Sequence, residues 1–202
     1  FGPVPAGARE LLRFAGEPIA LQVRLLSKYS NNFVAEQLTK SLGADRFGAP
    51  GSWEKGVRAL AEHVASVGAA SPGNVIADGS GLSPRNRVSS ATLAALIRAS
   101  ARSFSYGPEF LAALPLGGRD GTLQTRMRDL DATVRAKTGH LQRVASLAGV
   151  VPNSAGQPLI FVLIVNGARG SSLDVDAAID AFVAELGAAQ PAVASLPAGA
   201  LR

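Results

Sequence analysis

Lys137, Thr138 and Gly139 follow one another in the strand-like stretch TVRAKTGHLQ. A lysine ammonium beside a threonine hydroxyl can bind a carboxylate through charge-assisted hydrogen bonds. The glycine leaves room for a substrate laid along the strand, and a free strand edge can pair with an extended peptide. Taken singly the tripeptide is better read as an ordinary strand end, so further groups are needed to indicate a site.

Two such groups precede it in the chain. Ser30 and Asn32 form an S-x-N sequence at the junction of two predicted helices, and Ser80 and Leu82 lie in the loop DGSGLS. A serine hydroxyl that faces a lysine can pass a proton to a leaving amine, and an asparagine amide can hold both a substrate amide and a lysine. Each group alone reads as a helix cap or a turn. Together, in this order, they predict an acyl-transfer site.

Helical periodicity dominates the first two thirds of the chain. Residues 19–30, 32–43, 53–67, 89–102, 108–114 and 122–127 are predicted to be helical, with Gly43 as a stop and Ser52 as an N-cap. Residues 133–138, 144–152 and 158–167 read as strands, the last two joined by the polar turn NSAGQ. A final helix follows over 172–187, with Val175, Ile179, Phe182 and Leu186 on one face, and residues 188–202 read as a tail.

This order predicts an α+β fold in which a helical lobe meets an antiparallel sheet. The strand LIFVLIVNG is apolar at nearly every position, as expected of a strand buried on both faces. In a sheet of three strands it would form an open edge, which is an aggregation hazard. We therefore expect further strands from a longer chain.

Composition excludes several classes of function. The 202 residues include no cysteine and two histidines, and the chain carries a net charge of +5. Disulfide and thiolate chemistry are thus excluded, and a histidine metal cluster is not expected. The basic residues are scattered and not interleaved with aromatics, which disfavours a nucleic-acid partner. No apolar run has the length of a transmembrane helix.

The wider text around the motifs resembles one family. The stretches SNNFVAEQL, DGSGLSPRNRVS, LPLGGRDGTLQTRM and VRAKTGHLQRVASLAGVV are similar to the low-molecular-mass class C penicillin-binding proteins, the D-alanyl-D-alanine carboxypeptidases and endopeptidases of the penicillin-binding protein 4 kind. The resemblance covers residues 18–186. It implies a β-lactamase-like serine-transpeptidase fold, peptidoglycan stem peptides as substrates, β-lactams as covalent inhibitors, a periplasmic or other extracytoplasmic location, and neither metal nor organic cofactor.

The resemblance also implies roles for individual residues. Ser30 would shuttle protons, and Asn32 would orient the substrate and the lysine of the family's S-x-x-K motif. Lys137 and Thr138 would bind the substrate carboxylate beside Gly139.

Three further residues would line the substrate site. The backbone N–H of His140 would form half of an oxyanion hole, and Ser80 and Leu82 would line the pocket for the substrate side chain. The family has serine or threonine where this chain has His140, and an acidic residue is common where it has Asn31. His140 could alternatively act as a general base, although the sequence shows no evident acid partner.

The nucleophile is not evident in this chain. Ser52 and Lys55 form an S-x-x-K string, but it follows the S-x-N sequence, whereas in the family the motif lies far upstream. We therefore interpret Ser52 as a helix cap and residues 1–187 as the C-terminal part of a transpeptidase-like domain, which depends on an upstream part of its own chain and is inactive alone. A non-catalytic peptidoglycan-binding relative and, less favoured, a serine β-lactamase remain as alternatives.

Overall fold

The computed structural model describes residues 4–130, 132–168 and 171–190. Within them the chain forms an α+β fold, as predicted, in which five helices precede a sheet and one follows it. The helices are α1 (Ile19–Tyr29), α2 (Asn32–Phe47), α3 (Trp53–Ser66), α4 (Ser90–Ala101), α5 (Gly107–Ala113) and α6 (Ser172–Ala188). The strands are β1 (Arg135–Leu141), β2 (Val144–Pro152) and β3 (Pro158–Asn166), and two 3-10 turns span Gly121–Leu123 and Arg128–Leu130.

Polar side chains cap four of the helices. Asn31, Ser52, Ser89 and Ser171 each accept a hydrogen bond from a backbone N–H in the first turn of α2, α3, α4 and α6. Such caps satisfy donors that have no partner within the helix. The interpretation of Ser52 as a cap is confirmed, since its Oγ accepts from the backbone N–H of Lys55 at 3.2 Å.

Gly43 does not end α2, so that prediction was wrong. The helix continues to Phe47, and Gly43 is buried where α3 crosses it. A Cβ at Gly43 would lie 2.5 Å from the backbone nitrogen of Gly56, and a Cβ at Gly56 would collide with the carbonyl oxygen of Thr39. The two glycines are there because the helix backbones nearly touch.

The sheet is antiparallel in the order β1–β2–β3. Lys137 pairs with Ala148 and Gly139 with Ser146, while the apolar strand β3 forms the far edge of the described sheet. Predicted strand bounds were correct within a few residues. The segment 122–127, predicted to be helical, instead contributes only two residues to the 3-10 turn Gly121–Leu123.

The main core lies between the sheet and α6. Val183 is fully buried, whereas Phe182, which we placed on the buried face, is half exposed. Ile179 and Val183 are one turn apart and therefore share a face, while Phe182 lies about 100° away from Val183 around the helix. The buried residues of this cluster are Leu123, Val134, Ala136, Ala145, Leu147, Val151, Phe161, Ile179 and Val183.

Two expectations concern the limits of the chain. The predicted tail, residues 188–202, lies outside the described residues from position 191 onward. Among the residues that the structure describes, no helix combines the length and the apolar character needed to cross a bilayer.

Candidate active site

The serine of the first motif meets the lysine of the third. Lys137 Nζ on β1 donates a hydrogen bond to Ser30 Oγ at 2.8 Å and another to the carbonyl oxygen of Thr138 at 2.7 Å. Ser30 ends α1 in a left-handed conformation with φ 55°, which turns the chain sharply before α2. The two residues are 107 positions apart in the chain, and the fold brings them into contact.

Burial changes the acid–base properties of the lysine. Desolvation lowers the pKa of the Lys137 ammonium, because removing it from water disfavours the charged form. A carboxylate that entered the cleft would stabilise that charge. Lys137 is thus suited to bind an anionic substrate group and to share a proton with Ser30.

Asn31 and Asn32 have different surroundings in the structure. The Asn31 side chain is used as the N-cap of α2, where it accepts the Val34 N–H at 3.0 Å. Asn32 is the first residue of α2 and is exposed at the wall of the cleft.

The aspartate of the loop DGSGLS fixes the conformation of that loop. Asp78 accepts hydrogen bonds from the backbone N–H groups of Gly81 at 2.8 Å and Ser83 at 2.6 Å, and from the Asn86 amide at 2.8 Å. A Cβ at Gly79 would collide with Thr39 Oγ1, so this glycine lets the loop lie directly on α2. Ser80 and Leu82 are thereby presented to the cleft.

Glu36, which the sequence did not reveal as a site residue, ties this loop to α2. Its carboxylate accepts the Ser80 N–H at 2.9 Å and the Trp53 indole N–H at 2.7 Å. Burial alone would raise the pKa of the Glu36 carboxyl, but these hydrogen bonds outweigh it and lower the pKa. A signal was available, since Glu36 lies one helical turn after Asn32 and hence on the same face.

All the predicted site residues line one cavity of about 620 Å³ between the helices and β1. The predicted residues on its wall are Ser30, Asn32, Ser80, Leu82, Lys137, Thr138, Gly139 and His140. The remaining wall is largely apolar and includes Leu26, Leu93, Leu96, Ile97, Phe110 and Leu114. The cavity therefore joins a polar rim, suited to a peptide, to an apolar chamber.

His140 has an acid partner that sequence reasoning missed. Its Nε2 lies 3.0 Å from a carboxylate oxygen of Asp176 on α6, and Arg126 binds the same carboxylate at 3.1 Å. The partner is 36 residues away in the chain, which is why no local pattern revealed it. The contact attaches the imidazole to α6 behind the strand.

Thr138 also has an unforeseen partner. Its hydroxyl oxygen lies 2.8 Å from that of Thr122, in the 3-10 turn after α5. Asp120, two residues before Thr122, binds the buried Lys28 of α1 with both carboxylate oxygens, at 2.9 and 2.7 Å. The sequence drew attention to the stretch LPLGGRDGT only through its resemblance to the family, because neither contact is local.

The helical lobe, the antiparallel sheet and a cleft lined by S-x-N and K-T-G motifs define the β-lactamase-like fold class. Within it, the chain belongs to the D-Ala-D-Ala carboxypeptidase 3 (S13) family, whose model matches residues 2–186. It is 39% identical over 166 residues to a D-alanyl-D-alanine carboxypeptidase of an Actinomadura species, covering 78% of this chain and 30% of that protein.

Comparison with solved structures agrees with this family assignment. Penicillin binding protein 4 from Haemophilus influenzae superposes with a TM-score of 0.77 at 25% identity, covering 85% of this chain and 42% of that one. A class A β-lactamase from Bacteroides cellulosilyticus, with a TM-score of 0.61 at 17% identity over 84% of this chain and 62% of its own, shares the fold. The chain thus spans less than half the length of the carboxypeptidase and of penicillin binding protein 4.

Proposed function

We propose that this chain forms the substrate-binding part of a serine D,D-peptidase that hydrolyses D-Ala-D-Ala ends or related crosslinks of peptidoglycan. The observation that carries the proposal is the contact between Lys137 and Ser30 on the wall of the cavity, with Thr138 beside them. It joins a desolvated cation, suited to a terminal carboxylate, to a hydroxyl suited to proton transfer.

The geometry of β1 supports a mode of substrate binding. The strand lies at the edge of the described sheet, so an extended stem peptide can lie along it, with Gly139 leaving room for its backbone. The terminal carboxylate would approach Lys137 Nζ and Thr138 Oγ1. Because burial has made the lysine charge costly, pairing it with a carboxylate contributes more than it would on an open surface.

The nucleophile is proposed to lie on a segment outside this chain. The one S-x-x-K string here is used otherwise: Ser52 caps α3, and Lys55 Nζ donates to the carbonyl oxygens of Gly48 and Pro50 at 2.7 and 2.9 Å. The family's S-x-x-K lies at the start of a buried helix, and the apolar chamber beside Ser30 offers a surface on which such a helix can pack.

The reaction would proceed in two steps. The nucleophilic serine forms an ester with the penultimate D-Ala carbonyl, the C–N bond breaks, and the leaving amine takes up a proton delivered through Ser30. Water then hydrolyses the ester. The backbone N–H of His140 would donate to the carbonyl oxygen as negative charge develops on it.

Similarity to known proteins supports the same assignment. The similar structure of penicillin binding protein 4 from Haemophilus influenzae is a complex with a β-lactam. We accordingly propose β-lactams as acylating inhibitors of the intact protein and the cell envelope as its location.

Intact-mass spectrometry after incubation with benzylpenicillin tests the proposal. It should be run on this chain, on a longer protein carrying an upstream S-x-x-K segment, and on that longer protein with Lys137→Met. We expect a single penicilloyl adduct on the longer protein, slower formation with Lys137→Met, and no adduct on the short chain.

Two other outcomes would change the assignment. An adduct on the short chain would place the nucleophile among its own serines, with Ser30 and Ser52 the first to be replaced. No adduct on either protein would contradict the peptidase assignment and favour a non-catalytic peptidoglycan-binding module. Fast release of the adduct, measured by recovery of the unmodified mass, would instead indicate a β-lactamase.

A further inference from the structure

The turn Asp120–Gly121–Thr122 contacts both walls of the cleft with three successive residues. Asp120 holds α1, Gly121 lies against the same helix, and Thr122 reaches Thr138 on β1. Neither the S-x-N nor the K-T-G motif contains any of these residues. The turn thus joins the elements that carry Ser30 and Lys137, in addition to the hydrogen bond between those two side chains.

The first contact anchors the turn. Lys28 is buried, with 6% of its surface exposed, and its ammonium donates to both carboxylate oxygens of Asp120 and to the carbonyl of Leu114 at 2.6 Å. A Cβ at Gly121 would collide with the carbonyl oxygen of Lys28, so the turn lies directly on the last turn of α1. Ser30 ends that helix two residues later.

The second contact bears on the substrate. A hydroxyl has one proton to donate, and its orientation adapts to its partners. If Thr138 donates to Thr122, that proton is not available to a ligand. If Thr122 donates to Thr138, the Thr138 proton is free to point into the cleft, and its oxygen is held in place. Thr138 is 8% exposed, so bulk water has little access to its oxygen, whereas the Thr122 hydroxyl, 2.8 Å away, can donate to it.

We propose that Thr122 is a positioning residue that donates its hydroxyl proton to Thr138 and thereby directs the Thr138 proton to the terminal carboxylate of the substrate. The role rests on the proposed D,D-peptidase function and adds to it a determinant of carboxylate specificity outside the three motifs. The ion pair between the buried Lys28 and Asp120 keeps Thr122 within reach.

The test uses the longer protein, shown to form the penicilloyl adduct but here kept free of penicillin, with Thr122→Val, which removes the hydroxyl at nearly constant shape, and Thr122→Ser, which retains it. The exposed Thr125→Val, three residues along, serves as a matched control. Substrates are an acyl-D-alanyl thioglycolate, which ends in a carboxylate, and its neutral methyl ester. Both release a thiol when the C–S bond is broken, so acylation of either substrate can be followed.

We expect Thr122→Val to lower kcat/KM for the carboxylate substrate about three- to tenfold, the effect of one lost hydrogen bond. The value for the methyl ester should be unchanged, because it has no anionic oxygen for Thr138 to contact. Thr122→Ser should restore the wild-type ratio of the two values, and Thr125→Val should not alter it.

Equal losses on both substrates, or an unchanged ratio, would overturn the role of Thr122 while leaving the peptidase assignment intact. Wild-type protein without a penicilloyl adduct would overturn the proposed function and this role together. The adduct measurement therefore separates the two failures, and thermal unfolding of each variant identifies a loss that comes from misfolding.

Discussion

Replacement of Asp120 by asparagine should destabilise the protein because it leaves the Lys28 ammonium without its counter-charge. The lysine side chain is 8% exposed and has three oxygen acceptors, two of which belong to Asp120. Asparagine keeps the size of the side chain and an acceptor for the Leu116 N–H, which Asp120 Oδ1 binds at 2.8 Å. The substitution therefore mainly removes charge.

The size of this loss of stability depends on how deeply Lys28 and Asp120 are buried. Removing one partner of a fully buried ion pair costs about 3–5 kcal/mol. Asp120 is 41% exposed and Lys28 keeps the Leu114 carbonyl, so we expect a loss of about 2 kcal/mol in the free energy of unfolding. Lys28→Met should cost less, about 1 kcal/mol, because the remaining carboxylate can be hydrated.

Urea unfolding of the two single variants and the double variant measures this as a double-mutant cycle. The exposed pair of Arg58 and Glu62, with side chains 67% and 38% exposed, supplies the control, and Glu62→Gln should change stability by less than about 0.5 kcal/mol. A coupling energy for Lys28 and Asp120 below about 0.5 kcal/mol, as expected of an exposed ion pair, would refute the reasoning, because it would mean that Lys28 finds water or another acceptor.

Three further outcomes can be measured by thermal or urea unfolding. Gly43→Ala should lower the free energy of unfolding by about 2–3 kcal/mol, because its Cβ would meet the backbone of Gly56. Gly16→Ala, in open surroundings, should not destabilise the protein. Equal effects of the two substitutions would contradict the close helix crossing. Because the pKa of Lys137 is lowered on folding, the unfolded state binds more protons in the alkaline range below 10.5. Stability should therefore rise with pH there, and Lys137→Met should raise stability and abolish that slope; a persisting slope would assign it to another group. The pKa of Glu36 is lowered from 4.5, so its contribution to the free energy of unfolding is present above that value and lost as pH falls. Glu36→Gln should remove this loss of stability at acid pH. An unchanged loss would show that the hydrogen bonds of Glu36 do not stabilise its carboxylate form.

Much of the local structure could be predicted from the sequence. Strands β2 and β3 are bounded by a polar turn and by changes in hydropathy, and their predicted limits hold within one residue. Helix caps such as Ser52 were also predictable, since a cap depends on neighbours within three positions. The three motifs were visible as residue types in order.

Errors arose where a tertiary contact overrides a local preference. Gly43 reads as a helix stop, but the approach of α3 explains it as a contact residue inside a continuous helix. Phe182 reads as a core residue by hydrophobicity, but the register of α6 against the sheet buries its neighbour Val183 instead.

The order of residue types is enough to identify the groups that could do chemistry: a serine, an asparagine, and a lysine followed by threonine and glycine. The packing of the chain sets which of these groups meet, and which residues outside the motifs hold them. Lys137 reaches Ser30 across 107 residues, Lys28 binds Asp120 across 92, and His140 binds Asp176 across 36. Such contacts depend on how whole helices and strands pack, which is set by the summed burial of many side chains rather than by any short pattern.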